Sequence, residues 1–459
     1  MNPFINPYFF SKIVANYLAD LNRLQKMNPK RLQKFRDKKI QDVVRHSYNV
    51  SLYYEKFKKK GLNPKNIKNI DDISKLPFIT KQDLIDNYPD KIVSSSFNKK
   101  NSVISYTSGT TGKPVSIYFD MLTTIKALFG YIRVVREHGC RWSNDRLTII
   151  VDLSEDSIES EYLTSWILPS LKPIFNFDNI QIFNTYDIAE NIVDKINQFK
   201  PEYIVGYPGM LRHLAILKRK GYADNINPKK IVSCGSILDK SLEKYLEETF
   251  KTEIFDAYGA MESGPIAFQC KHKKYHLHSD FVHIELLDDK HELINSEKPG
   301  KIAITRLYGK ATPIIRYTGL DDIITPTNEK CNCGLSGDLI KKIHGREKHS
   351  VVLPDGRILT PLTMGNFIGE TSEEINIETI ERFQIIQHKT DKVELIAGIK
   401  KEIKEKKVEK ILEKMQENFK EKYEINLDIK IKDSSYFKPH TPGIIQKVDF
   451  NKITKKQYL

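Results

Sequence analysis

Apolar residues near the start of the chain recur with a helical rhythm. Ile13, Val14, Tyr17, Leu18, Leu21 and Leu24 fall at three- and four-residue spacing, which predicts a helix with one inward face. The rest of the first hundred residues reads mostly helical, and the stretch Pro77-Phe-Ile-Thr-Lys81 marks a turn before another short helix. Between residues 103 and 256 the pattern changes. Short apolar runs such as Leu147-Thr-Ile-Ile-Val151 and Tyr203-Ile-Val205 alternate with helical segments at 188–199 and 210–219. Continuous apolar strands separated by helices predict a largely parallel sheet covered on both faces. Residues 276–287 and 301–307 instead read as short alternating strands.

After Gly345 the character shifts again. Residues 383–388 and 392–397 read as strands, and Val408, Ile411, Leu412, Met415 and Phe419 form an apolar stripe on a charged helix. Residues 425–431 read as one more strand. The expected class is α/β. A large N-terminal domain of several subdomains, 1–345, has mostly parallel sheets flanked by helices, with 1–100 as a mostly helical lead-in. A small α+β domain, 346–459, follows.

Composition narrows the function. A chain of 459 residues is too long for one core, and 40% hydrophobic with 29% charged residues excludes disorder and fibres. No apolar stretch reaches the roughly 18 residues of a membrane span. Residues 1–10 are apolar but have no basic leader, and five cysteines make an odd set for a disulfide framework. A cytoplasmic protein without a membrane partner is expected. Lys and Arg number 73 against 59 Asp and Glu, a net +14. That excess is dispersed, and the charge run at 400–422 alternates in sign, so nucleic acid is not an expected partner while small anions are.

The richest chemistry lies at residues 105–114, Ser-Tyr-Thr-Ser-Gly-Thr-Thr-Gly-Lys-Pro. Glycines let backbone amides approach an anion, hydroxyls donate to phosphate oxygens, and Lys113 adds charge. Lys113 precedes Pro114 rather than a hydroxyl residue, so this is not the common G-x-x-x-x-G-K-S/T loop. By composition alone a polar surface turn explains the stretch equally well.

The loop resembles that of the adenylate-forming superfamily: acyl-CoA synthetases, luciferases and the adenylation domains of peptide synthetases. Pro77-Phe-Ile-Thr-Lys-Gln-Asp-Leu84 and Phe383-Gln-Ile-Ile-Gln387 resemble the subgroup of phenylacetate–CoA ligases and their capsule-biosynthesis and deazaflavin-adenylating relatives. The resemblance implies that Thr107, Ser108, Gly109, Thr110, Thr111, Gly112 and Lys113 hold the phosphates of ATP, with Gly235 and Ser236 also at the nucleotide. In Ala257-Tyr-Gly-Ala-Met-Glu262 it implies that Ala257, Tyr258 and Gly259 meet the adenine and that Glu262 holds magnesium, a hard cation suited to carboxylate oxygen. Met261 stands where the family usually has threonine.

Further carry-overs concern the ribose, the hinge and a lysine. Asp321, at the family's spacing after Arg316-Tyr317, falls at the ribose-binding position, with Asp322 as a substitute. Gly345-Arg346 matches a hinge motif about which a mobile C-terminal domain swings. Arg346 is then a nucleotide contact and Lys348, in place of an aspartate, the pivot. The family's C-terminal lysine stabilises charge at the α-phosphate. One register puts Ile444 there; the other, through Gln446-Lys-Val-Asp449, nominates Lys447. The expected catalytic set is Lys447, Glu262 and Lys113.

Cys331-Asn-Cys333, with Cys270 and either His276 or His278, supplies four ligands of the kind that close a structural zinc site. Alignment to relatives selects His276, giving Cys270, His276, Cys331 and Cys333. Cys140 and Cys234 are expected in the core.

The resemblance implies ATP-dependent activation of a carboxylic acid, aryl or arylacetic, to an acyl-adenylate and its transfer to a thiol, that of coenzyme A. ATP, Mg2+ and coenzyme A are the implied cofactors, with structural Zn2+. A homodimer is compatible with it, although no residue specifies one. Two alternatives stay open at this point: an adenylyltransferase acting on a non-carboxylate acceptor such as a deazaflavin, and a nucleotide-binding homologue without chemistry.

Overall fold

A computed structural model describes residues 7–99, 102–106, 114–154, 157–160, 163–164, 169, 171–172, 176–294, 296–373, 380–399, 405–433, 436–437, 443–450, 453 and 457–459. The chain divides into two compact units. One comprises residues 1–236, 250–320 and 325–342, the other 237–249, 321–324 and 343–459.

The first unit opens on helices Pro7–Lys26, Pro29–Ser47 and Ser51–Lys59. Helix Lys81–Asn87 begins where the Pro77 turn predicts it. Thr80 accepts from the Asp83 amide, and Asp83 accepts in return from the Thr80 amide, a reciprocal cap. Strands β1 (Ser102–Tyr106) and β2 (Ser116–Asp120) form an antiparallel pair. Next come β3 (Leu147–Val151), β4 (Ile180–Asn184), β5 (Tyr203–Gly206), β6 (Lys230–Cys234) and β7 (Ile254–Ala260). Their mutual ladders are all parallel, in the order β7-β6-β5-β3-β4. The strands β8 (Gly264–Gln269), β9 (Tyr275–Leu277), β10 (Val282–Leu287), β11 (Gly300–Arg306), β12 (Asp322–Thr327) and β13 (Leu339–Arg346) extend the same sheet to eleven strands. Helices Met121–Glu137 and Pro208–Arg219 pack against β8 and β6.

Two local expectations change. In the first helix Ile13, Leu21 and Leu24 are buried, but Val14 is 39% and Leu18 59% exposed. Asp20 holds a place on the inward face instead, fully buried, and accepts from Arg23 (2.5 Å) and Lys126 (2.7 Å). Residues 276–287, expected as one strand, split into β9 and β10. Between them Asp280 takes a two-pronged bond from Arg133 (2.9 and 2.7 Å), which fixes a turn there.

In the second unit β14 (Val351–Val352) and β15 (Arg357–Leu359) pair antiparallel, and β16 (Ile380–Lys389), β17 (Lys392–Ile399), β18 (Asn426–Asp433) and β19 (Ile444–Gln446) form a sheet ordered β18-β17-β16-β19. The helix Glu405–Tyr423 covers it with Val408, Leu412, Met415 and Phe419, all buried as the stripe predicts. Helix Pro361–Glu373, not foreseen, adds Phe367, whose ring meets Phe419 edge-on at 5.2 Å. Among the described residues no helix is long and apolar enough to cross a membrane.

Candidate active site

The carboxyl ends of four neighbouring parallel strands assemble the first part of the site. Asp152 follows β3, Tyr207 follows β5, Gly235 and Ser236 follow β6, and Ala257, Tyr258 and Gly259 lie in the last turns of β7. In open α/β sheets ligands bind outside this edge, where loops leave the strands. The sequence places a strand end at Phe255–Asp256, but β7 runs on to Ala260, because β8 pairs with it antiparallel. The register shifts between Tyr258 and Gly259.

Two glycines there are dictated by neighbours. Gly235 has φ +78°, and a Cβ on it would lie 2.2 Å from the Tyr207 ring. On Gly259 a Cβ would lie 2.8 Å from the Tyr131 hydroxyl and 3.1 Å from the Gly264 carbonyl. Gly235→Ala is therefore expected to cost about 1–3 kcal/mol of stability and to raise KM for ATP. Thermal unfolding and steady-state kinetics check this; wild-type values for both would show that the turn tolerates a side chain.

Glu262 occupies the turn between β7 and β8 and is 4% exposed. Its Oε1 accepts from the Tyr317 hydroxyl at 3.1 Å. Arg306, itself buried, donates to the Glu262 carbonyl (3.0 Å) and the Thr312 carbonyl (2.6 Å), while the Tyr308 hydroxyl donates to the Ser263 carbonyl (3.1 Å). The turn that presents the carboxylate is thus clamped through its backbone. Sequence reasoning missed Arg306 and Tyr317. The only signal for Arg306 was a charge closing the apolar run of β11.

Asp321, Asp322, Arg346 and Lys348 come together in the second unit. Lys348 Nζ is 2.5 Å from Asp321 Oδ2, Arg346 Nε is 3.8 Å from Asp322 Oδ1, and the Glu347 amide donates to the Asp321 carbonyl at 2.8 Å. Asp321 adopts φ +57°, a left-handed conformation that aspartate accepts more readily than most residues.

Lys447 directly follows β19, is exposed, and has its Nζ 3.4 Å from His388 Nδ1. His388 in turn bonds Glu394 (2.8 Å), whose carboxyl Lys430 and His388 hold below the usual range. Ile444, the other register, points into the core of this unit at 6% exposure and has no polar atom to offer. Residues Thr107, Ser108, Gly109, Thr110, Thr111, Gly112 and Lys113 lie outside the described residues, between β1 and β2.

The cysteine expectation becomes a defined cluster. Cys270 follows β8, His276 lies in β9, and Cys331 and Cys333 lie in the loop between β12 and β13. Their ligand atoms all fall within 4.8 Å of one another, with Cys270 and Cys331 sulfurs 3.6 Å apart and Cys333 Sγ 3.2 Å from His276 Nε2. A tetrahedron with arms of about 2.0–2.3 Å has edges of roughly 3.5–3.8 Å. The cluster therefore has the size of a four-coordinate metal site. Burial pushes the Cys270 and Cys333 thiols up and the His276 imidazole down, and three sulfurs with one imidazole are a donor set suited to a tetrahedral cation. His278 is not part of it: its Nδ1 bonds Arg133. Cys140 is buried, whereas Cys234 lies half-covered at the end of β6 rather than in the core.

Comparison with known proteins adds three findings. The AMP-binding enzyme family matches residues 33–307. A phenylacetate-coenzyme A ligase of Aromatoleum evansii is 26% identical over 313 residues, covering 66% of this chain and 68% of that protein. One of Pseudomonas putida is 24% identical over 289 residues, covering 61% and 63%. Among solved structures, a 2-hydroxyisobutyryl-CoA ligase in the postadenylation state, in complex with R3-HIB-AMP, superposes with a TM-score of 0.75. It covers 93% of this chain and 91% of that one at 15% identity, a likeness of fold.

Proposed function

Because the chain belongs to the AMP-binding enzyme family, we propose that it is an ATP-dependent, AMP-forming ligase that joins a carboxylic acid to the thiol of coenzyme A. The observation that carries this reading is the clamped Glu262 turn beside Tyr258 and Gly259, at the carboxyl edge of the parallel strands and inside the matched stretch. A carboxylate oxygen of the acid attacks the α-phosphorus of ATP, the bond to the bridging oxygen breaks, and pyrophosphate leaves. The thiol then gives up its proton and attacks the acyl carbon, and AMP departs. The acid is aryl or arylacetic, in keeping with the names of the ligases to which the chain is similar.

The residues divide the work. Tyr258 and Gly259 bind adenine, Asp321 the ribose, and Thr107 to Lys113 the phosphates. Lys447 stabilises charge developing at the α-phosphorus. The domain from Arg346 onward turns about Lys348 between the two half-reactions, so that one site serves both. Magnesium, when bound, would be held by Glu262, a buried carboxylate suited to a hard cation, and would neutralise phosphate charge. Zinc fits Cys270, His276, Cys331 and Cys333 and would tie β9 to the loop before β13, a structural role outside the reaction. Use of ATP and coenzyme A accords with a cytoplasmic enzyme.

The test is ATP–pyrophosphate exchange across aryl, arylacetic, fatty and amino acids, followed by thioester formation on adding coenzyme A. Acid-dependent exchange with thioester and AMP as products is expected; exchange with no acid would reject the reading. Lys447→Ala is expected to slow exchange by at least about a hundredfold. An unchanged rate removes Lys447 from the mechanism.

A further inference from the structure

One half-buried carboxyl at the strand edge has no part in the two half-reactions. Glu159 lies in the short helix Ile158–Ser160, a few residues beyond the end of β3. Its Oε1 is 3.3 Å from the Tyr207 hydroxyl, and Tyr207 is the ring that packs on Gly235. Tyr131, whose hydroxyl packs on Gly259, feels the Glu159 charge, as do Tyr186 and Cys234. One carboxyl therefore lies among side chains that touch both nucleotide-site glycines, on the edge where the acid must meet the α-phosphorus.

The chemistry of this wall is uneven. Tyr131, Tyr207 and Tyr186 offer flat apolar surface suited to an aromatic ring. No cation pairs with Glu159 among the described residues; Asp152 adds to its negative surroundings. Burial, opposed in part by its own backbone amide and then reinforced by Asp152, raises the carboxyl to about 7. The Tyr207 hydroxyl donates to Oε1, and a carboxylate has room for further donors, so a ligand that brings one is favoured in these anion-rich surroundings.

We propose that Glu159 is a specificity-determining residue that accepts a hydrogen bond from a hydroxyl or amino group on the acid substrate, at the end remote from its carboxylate. The enzyme accordingly prefers hydroxy- or amino-substituted arylacetic acids to the unsubstituted ring. This rests on the acid-activating reading given above. A polar group built to meet a substrate donor discriminates strongly against the analogue lacking it, because the site's acceptor is then left unpaired.

The experiment compares kcat/KM in ATP–pyrophosphate exchange for phenylacetate, 3- and 4-hydroxyphenylacetate and 4-aminophenylacetate, using the full chain and its Glu159→Leu, Glu159→Gln and Tyr207→Phe variants. At least one donor-bearing acid is expected to be preferred over phenylacetate by about tenfold or more in wild type. Glu159→Leu is expected to abolish that preference while leaving phenylacetate activation the same or better. Glu159→Gln keeps an acceptor oxygen and should retain part of the preference. Tyr207→Phe frees Oε1 and should preserve it, which a merely structural role for the pair would not do. A preference ratio unchanged in both Glu159 variants, or no preference in wild type, overturns the assignment and leaves the ligase reading standing. Absence of exchange with every acid overturns both. If Glu159→Leu does not fold, Glu159→Gln with Tyr207→Phe decides the question by the same ratio.

Discussion

Glu262→Gln is expected to lower ATP–pyrophosphate exchange by about a hundred- to a thousandfold while leaving the fold intact. The amide keeps the shape of the carboxyl, and its oxygen still accepts from Tyr317. Arg306 still binds the backbone carbonyl of residue 262. What is lost is one negative charge at the proposed magnesium position. Metal stabilisation of phosphoryl charge is worth several kcal/mol, and each 1.36 kcal/mol is about tenfold in rate. Exchange measured across a magnesium titration, beside a thermal melt, separates the effects. A melt within about 2 °C of wild type with the rate down and the magnesium requirement raised is the expected outcome. A rate within threefold of wild type would falsify the role given to Glu262.

Removing the metal from the cysteine cluster is expected to have the largest effect on stability. The contacting pairs Cys270–Cys331 and His276–Cys333 are 61 and 57 residues apart, and the loop before β13 is otherwise tied by Glu329 to Lys274 and by the Ser336 hydroxyl to the Met27 carbonyl. Losing a bound ion would leave the Cys270–Cys331 and Cys333–His276 contacts without the charge that joins them, and buried His276 Nδ1 has no hydrogen-bond partner to compensate. A loss of about 3 kcal/mol or more is expected, and at roughly 2–4 °C per kcal/mol the melting temperature falls by about 6–12 °C. Elemental analysis should find one zinc per chain, and chelation or Cys333→Ser should produce the drop. Protein that holds no metal as purified, and melts unchanged after chelation, would remove the zinc from the account.

Legibility in the sequence followed the range of the interactions. The apolar runs at 147–151 and 203–205 and the stripe Val408, Leu412, Met415 and Phe419 were readable because side-chain direction repeats every two or 3.6 residues. The turn at Pro77–Lys81 before helix Lys81–Asn87 was readable because its signal lies within a few residues, whereas the Thr80–Asp83 cap emerged only from the structure. The first helix shows the limit. Leu18 and Asp20 look like an inward and an outward residue, yet Leu18 is 59% exposed while Asp20 is fully buried. That reversal depends on Lys126 and Arg133, more than a hundred positions away.

The site divides in the same way. Resemblance to a family, carried by short ordered motifs, nominated Gly235, Tyr258, Gly259 and Glu262, and the cysteine spacing with alignment for His276 nominated four residues that the fold brings together. Tyr131, Tyr207 and Glu159 carried no local signal, because an isolated tyrosine or glutamate is compatible with any surface, and Arg306 and Tyr317 were visible only as the end of an apolar run and the start of a motif. The sequence by itself determined the periodicity of the elements and the short motifs, since both are set by backbone geometry within a few residues. Only the tertiary structure decided which charges are buried, what clamps the Glu262 turn and which side chains surround Gly235 and Gly259. Those depend on strand order, and strand order brings together residues that no local pattern relates.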